Sequence, residues 1–354
     1  MPDLRQLLTD KNPGIGVILL RWLLRVLSIP YMLFMRGRNW LYASGWKSVY
    51  HSSLPVISVG NLSVGGTGKS PVVAWIAKWM RARNVRVAIL SRGYGALDSG
   101  QNDEALELEL QLPDVPHLQH WDRVASAHLA EEELEMELLL LDDGFQHRRI
   151  SRELDIVLID ATEDAAARWP LPGGILRESM YALRRAQVVM LTRTDQVPAA
   201  SLRQLSQTVM RIAPQVVLLH AVHQPRELWI YPDQRCPVTD LTGRRVLAFC
   251  AIGNPASFFK SVSDLGADVL ETRTWPDHHG FEAQDIDAIR EWAAGNPQAE
   301  LLVCTMKDWV KLQVEQIGDI RLAALSIELG ITHGAEQLES CLEQVLSQSS
   351  KGRV

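Results

Sequence analysis

Cysteine is scarce and scattered in this sequence: Cys236, Cys250, Cys304 and Cys341 are the only four in 354 residues. None forms a Cys-x-x-Cys pair, which argues against a zinc site or a disulfide framework and for reduced cytosolic thiols. A basic excess is also missing. The net charge is −6, which speaks against a broad nucleic-acid surface. An uninterrupted apolar run of about 20 residues, the requirement for crossing a bilayer, is absent. The nearest stretch, residues 17–35, is broken by Arg21 and Arg25, and its longest uncharged part is residues 26–35. It reads as too short to span. With no small-residue cleavage site after it, it does not read as a signal peptide either.

Acidic residues are missing from one place in particular. There is none between Asn12 and His51, and residues 1–51 hold seven basic side chains against Asp3 and Asp10, a local charge of +5. Arg21 and Arg25 are four apart and share a helix face, while Trp22, Leu23, Leu24, Leu27, Tyr31, Leu33 and Phe34 supply apolar surface. Such a segment suits the interface of an anionic leaflet. A core helix packed on the first domain would read the same way, and the residues leave both open.

The length suffices for two domains, each with its own core. A β-prone run, residues 55–59, leads into Ser63-Val64-Gly65-Gly66-Thr67-Gly68-Lys69-Ser70. Apolar residues at helical spacing follow over 72–83. Strand, Gly-rich loop, Gly-Lys-Ser and helix are the context of a Walker A loop. Its N–H groups would cup phosphate oxygens, Lys69 would reach the β- and γ-phosphates, and the Ser70 hydroxyl would ligate Mg²⁺. The general pattern starts with Gly, whereas this loop starts with Ser63. Pro71 suits the first turn of a helix.

A second strand, residues 85–90, ends in Ser91-Arg92-Gly93-Tyr94-Gly95. An acidic stretch, 131–137, precedes Leu138-Leu139-Leu140-Leu141-Asp142-Asp143-Gly144, which has the form of a Walker B strand carrying a carboxylate to the metal. The loop continues with Gln146, His147, Arg148 and Arg149, polar groups suited to a phosphate or sugar. Further strands are expected at 155–160 and 186–191, and Arg177 and Glu178 fall in the loop between them. Alternating strands and helices imply a parallel sheet with ligands at the carboxyl ends of its strands. Residues 220–234 read as a polar hinge region, and strands near 246–251, 267–272 and 301–305 predict a second, smaller α/β domain. His278 and His279 follow Asp277 in a loop. They could serve acid–base chemistry, and without a third ligand zinc is not expected. No Asn-Lys-x-Asp run is present, which argues against a GTPase.

Taken together, VGNLSVGGTGKSP (59–71), LSRGYG (90–95), LDDGFQHRRISRELDIVLID (141–160), LPGGILRES (171–179), FCAIGNP (249–255), PDHHGF (276–281) and CTMKDWVKL (304–312) resemble the tetraacyldisaccharide 4′-kinases of lipid A biosynthesis. That family does not keep the first Walker glycine. The resemblance implies transfer of the γ-phosphoryl of ATP to the 4′-hydroxyl of an acylated glucosamine disaccharide 1-phosphate. It implies a P-loop kinase domain over 51–217, a β-ribbon hinge at 218–236, a smaller α/β domain over 237–330 and a C-terminal helix and tail over 331–354. It also implies that residues 1–50 attach the enzyme peripherally to the cytoplasmic face of the inner membrane, and nothing calls for an obligate protein partner. By resemblance, Gly65 to Ser70 hold ATP. Asp142 and Asp143 hold Mg²⁺ with Ser70, and Glu178 lies near the metal. Asp103 is the catalytic carboxylate and His278 its partner, brought to it from the second domain. Lys69 and Arg177 act on the transferring phosphate, and Arg123, Gln146 and His147 on the substrate. Asn102 stands where the family has Gly before that carboxylate.

Overall fold

The structure, a computed structural model, describes residues 14–93 and 103–351. Its elements in chain order are α1 (Ile15–Ala43), β1 (Val56–Asn61), α2 (Lys69–Arg81), β2 (Val87–Ser91), α3 (Asp103–Gln111), β3 (His117–Gln119), α4 (Arg123–Glu132), β4 (Leu138–Asp142), β5 (Leu154–Asp160) and β6 (Val188–Thr192). They continue with α5 (Ala199–Ile212), β7 (Val217–Ile230), β8 (Gln234–Pro237), β9 (Arg245–Cys250), α6 (Pro255–Asp264), β10 (Asp268–Thr274), α7 (Ala283–Ala294), β11 (Leu301–Thr305), α8 (Met306–Leu312), β12 (Gln316–Ile317), β13 (Ile320–His333) and α9 (Ala335–Lys351).

The chain divides into two compact units. The first holds the chain up to Arg92, Pro116–Val222 and everything from Gly330 onward. Its sheet runs β7-β6-β5-β1-β4-β2-β3, and every pairing is parallel. Strands β1, β2, β4, β5 and β6 are buried along their whole length. That is why they read as continuous Val, Ile and Leu rather than as alternation: both faces are covered. Strand register puts Val56, Ala88, Leu139 and Leu141 on the same face as Val157 and Leu191, and the two groups form separate clusters along it.

The second unit holds Gly93–Val115 and His223–Leu329. Strands β10, β9, β11 and β13 are parallel neighbours, while β8 and β12 add antiparallel edges to β7 and β13. The residues expected as a β-ribbon hinge at 218–236 lie in β7, a 14-residue strand that passes from the first unit into the second, and in β8, which pairs with it antiparallel; β13 passes back. The placement of α3 departs from the sequence expectation. Helix α3 joins the second unit because Ala105 and Leu108 are buried and Leu106 packs on the cluster of Trp229, Phe249 and Trp309.

The N-terminal segment also departs from expectation. Helix α1 is continuous for 29 residues through Pro30, long and apolar enough to cross a membrane by length and composition. It is not a core helix. Only Ser28 and Met35 are buried, while Ile15, Leu19, Trp22, Leu23, Val26, Leu33 and Phe34 are exposed.

Candidate active site

The site is assembled at the carboxyl ends of β1, β4, β5 and β6. Strand register sets this: Val59 pairs with Asp142, Asn61 with Leu158, and Asp160 with Thr192. Beyond β1 the chain turns into the loop 63–68. Gly65 and Gly68 sit at φ 117° and 86°, in the left-handed region that glycine occupies without strain. Helix α2 starts at Lys69, three residues earlier than its apolar pattern suggests. Lys69 and Ser70 therefore lie in its first turn, and Pro71 costs no hydrogen bond there.

Side-chain donors tie down the loop's carbonyls. Asn61 Nδ2 donates to Thr67 Oγ1 at 2.9 Å and to the Gly65 carbonyl at 3.3 Å. Thr192 Oγ1 donates to the Thr67 carbonyl at 2.9 Å, and Arg193 Nη2 to the Gly66 carbonyl at 3.0 Å. Arg193 is itself paired with buried Asp160. With these carbonyls engaged, the loop offers anions its N–H groups at a helix N-terminus, a fit for nucleotide phosphates. Ser63 has a separate reason to differ from Gly. It is buried and forms an antiparallel bridge with Leu176, flanked by Val64 N–H to the Ile175 carbonyl at 2.8 Å and Arg177 N–H to the Leu62 carbonyl at 2.6 Å. Extended, paired backbone needs no glycine, and this bridge stitches the Arg177 loop to the phosphate loop.

Asp143, at φ 52°, is the electrostatic centre. Its Oδ1 lies 3.5 Å from Lys69 Nζ, its Oδ2 accepts from Arg177 Nη1 at 2.7 Å, and its carbonyl accepts from Arg123 Nη1 at 3.0 Å. Burial pushes its carboxyl up, but Lys69, Arg177 and Arg123 together hold it down at about 2. Asp142 is buried at the end of β4. Arg123 is buried as well, and burial lowers its pKa against the pull of Asp143 and Asp142. The 144–147 turn is pressed onto β1: a Cβ on Gly60 would stand 2.6 Å from Phe145 Cβ. Gln146 Nε2 donates to the Asn61 carbonyl at 2.8 Å, while its buried Oε1 has no partner among the described residues. His147 donates its N–H to the Gly144 carbonyl and accepts from Arg152 at its own carbonyl. Burial, with Arg123, Arg152 and Arg149 around it, lowers its ring to about 4, so the imidazole is neutral at physiological pH. These groups can bind a polyanion, neutralise its charge and place a cation beside it.

The second unit carries the other expected pair. The side chain of Asp103 lies outside the described residues, but its backbone opens α3. His278 sits at φ 62°, its N–H donating to the Ala251 carbonyl and its Nε2 3.9 Å from Asp277 Oδ1. Since α3 belongs to the second unit, Asp103 and His278 are carried by one unit, not brought together from two as the sequence suggested. His279 has a different task. Its Nε2 bonds Asp285 Oδ2 at 2.9 Å, and its ring stacks near Trp275.

The family described as LpxK, tetraacyldisaccharide-1-P 4′-kinase, matches residues 20–347. The tetraacyldisaccharide 4′-kinase of Geobacter metallireducens is 35% identical over 344 residues, covering 92% of this chain and 98% of the relative. That of Geobacter sulfurreducens is 33% identical over 360 residues, covering 97% and 98%. The crystal structure of "apo" form LpxK from Aquifex aeolicus in complex with ATP matches with a TM-score of 0.72 at 30% identity, covering 92% of this chain and 99% of that one.

The chain belongs to the tetraacyldisaccharide-1-P 4′-kinase family.

For a 4′-kinase of this family, the resemblance sets Glu178 near the metal with Ser70, Asp142 and Asp143. The described residues contain no group of three or more acidic, His or Cys side chains arranged for a metal. Glu178 is buried, with Arg185 donating to both of its oxygens at 3.0 and 3.1 Å and Asn39 Nδ2 donating to Oε2 at 2.6 Å. Three residues of the loop clamp, Asn61, Thr192 and Arg193, escaped the sequence reading. Thr192-Arg193 at the end of an apolar strand was the available signal.

Proposed function

We propose that this 4′-kinase transfers the γ-phosphoryl of ATP to the 4′-hydroxyl of a tetraacylated glucosamine disaccharide 1-phosphate, a late step of lipid A biosynthesis, while seated on the cytoplasmic face of the inner membrane. The observation that supports it most strongly is the convergence of Lys69, Arg177 and Arg123 on Asp143 beside the glycine loop.

Gly65, Gly66, Thr67 and Gly68 cradle the triphosphate, with Lys69 on its β/γ end. Ser70, Asp142 and Asp143 would hold Mg²⁺, which would supply charge neutralisation of the phosphates. Arg177, now paired with Asp143, and buried Arg123 offset negative charge on the transferring group and the acceptor. Gln146, whose buried Oε1 has no partner among the described residues, would accept from a sugar hydroxyl. Neutral His147 holds the turn that presents Gln146. Asp103, backed by His278, takes the proton of the 4′-hydroxyl. Little covalent chemistry is needed beyond holding donor and acceptor in line.

The two sides of α1 support membrane seating. One side bonds to protein: Ser28 Oγ to the Pro170 carbonyl, Tyr31 OH to the Arg177 carbonyl, Asn39 to Glu178. The other side is bare apolar surface. A helix immersed in hydrocarbon would strand those polar groups, so α1 lies in the interface with lipid on its free side rather than crossing.

The test is an assay with ATP, Mg²⁺ and the disaccharide 1-phosphate acceptor, alongside an acceptor without acyl chains. Turnover that requires the lipid acceptor and falls at least about 100-fold in Lys69→Ala supports the reading. ATP hydrolysis indifferent to acceptor would point to another membrane-associated P-loop NTPase and sink it.

A further inference from the structure

Helix α1 does more than rest on the first unit. Its inward residues, Ser28, Tyr31, Met35 and Asn39, are spaced by three, four and four, a single helix stripe. The stripe and the residue beside it engage two segments flanking the phosphate loop, 170–178 and 146–148. Ser28 Oγ, buried, donates to the Pro170 carbonyl at 2.9 Å and accepts the Gly173 N–H at 2.9 Å. Tyr31 OH donates to the Arg177 carbonyl at 2.8 Å. Asn39 Nδ2 donates to Glu178 Oε2 at 2.6 Å, and the Asn39 carbonyl accepts from Arg148 Nη1 at 2.8 Å. Arg38 Nη2, just beside the stripe, donates to the Gln146 carbonyl at 3.2 Å and lies 3.9 Å from Glu178.

Arg177 is thus held by its backbone from two sides: its N–H by Leu62 of the phosphate loop and its carbonyl by Tyr31 of α1. Glu178, next in the chain, is anchored by Asn39 and Arg185. With Arg177's guanidinium 2.7 Å from Asp143, a small shift of its backbone would move the phosphate-facing charge. A displacement of about 1 Å can cost on the order of 100-fold in rate.

We infer that Tyr31 and Asn39 are positioning residues for Arg177: the lipid-facing helix aims the phosphate-clamping arginine, with Glu178 as the intermediary. This rests on the role of Arg177 proposed above. It makes α1 part of the reaction machinery as well as a membrane anchor, because what loosens α1 from its loops also loosens Arg177.

The test uses full-length Tyr31→Phe and Asn39→Ala with ATP, Mg²⁺ and the acylated acceptor in mixed micelles, each also combined with Arg177→Lys. Tyr31→Phe keeps the ring and removes one hydroxyl, so it should fold even if Asn39→Ala does not. Each single variant should lower kcat about 3- to 10-fold, with KM for ATP, vesicle binding and thermal midpoint unchanged. Hydrogen exchange over residues 171–179 should quicken. In the Arg177→Lys background the further loss should vanish. Unchanged kcat, unchanged exchange, a loss that persists in full beside Arg177→Lys, or a loss that tracks vesicle binding would each overturn the inference. Full turnover in Arg177→Lys and Arg177→Ala alone would instead remove the role of Arg177, a failure visible without touching α1.

Discussion

Single residues in this site gain their properties from neighbours. Asp143 is held at about 2 although burial alone would raise it, because Lys69, Arg177 and Arg123 favour its charge. A carboxyl lowered in the folded state stabilises above its unfolded value, near 3.9, and that contribution fades as pH falls through about 2. Asp143 therefore stays ionised throughout the working range, and an acid limb in the pH–rate profile between pH 5 and pH 7 belongs to another group. Asp143→Asn should cost at least about 100-fold in kcat by leaving Lys69 and Arg177 without their counter-charge, as steady-state kinetics would register. His147 is shifted in the same direction, though here burial and nearby arginines favour the neutral form. Its folded pKa, about 4, lies below the unfolded value near 6.5, so between these pH values the unfolded chain binds the extra proton. Stability rises with pH across that window, and His147→Asn should flatten the rise, as thermal midpoints taken from pH 4 to 7 would show.

Among the elements, α1 carries the clearest consequence. Gly173 lies so close to it that a Cβ there would stand 2.7 Å from both Arg25 Cα and Ser28 Oγ. Gly173→Ala should push the helix away at a cost of about 1–3 kcal/mol, measurable in denaturant melts, with kcat falling as α1 lifts from the Arg177 loop. A change on the free face tests the other half of its role. Leu23→Glu and Phe34→Glu should abolish vesicle binding while leaving the melting midpoint in solution unchanged, since neither side chain is buried. In the second unit, α8 is fixed by Asp308, which is fully buried, accepts from Thr305 Oγ1 at 2.6 Å and receives the Ala251 N–H. Asp308→Ala would leave those donors unsatisfied, for about 1–3 kcal/mol of lost stability.

The whole molecule is electrically divided. Its net charge is −6, yet residues 1–51 carry +5. On the proposed membrane seating, attraction to an anionic leaflet would be concentrated at the segment that also offers apolar surface, while the rest of the chain would be repelled. Binding to anionic vesicles should weaken steeply between 0.05 and about 0.5 M salt, and binding to neutral vesicles should be weaker but nearly salt-independent, because screening acts only on the charge contribution. Co-sedimentation at several ionic strengths would check this. Two units joined by β7 and β13 divide the candidate site residues as well. The nucleotide loop and its arginines belong to one, Asp103 and His278 to the other.

The sequence by itself determined the parallel sheet, the phosphate loop and the family. These depend on local signals: continuous apolar strands, glycines at left-handed positions, and an apolar strand ending in Asp142 and Asp143. Only the tertiary structure decided what depends on contacts between residues distant in the chain. Ser63 escapes the glycine rule because it bridges Leu176. Glu178 is tied to Asn39, 139 positions away. Helix α3 joins the second unit because Leu106 finds its partners there. The apolar run is interrupted along the chain by Arg21 and Arg25, but the helix is not, because those two share one face and a helix needs only one face to bury. Motif spacing encodes which groups the site contains. Their geometry is set by burial and pairing, which no linear pattern records.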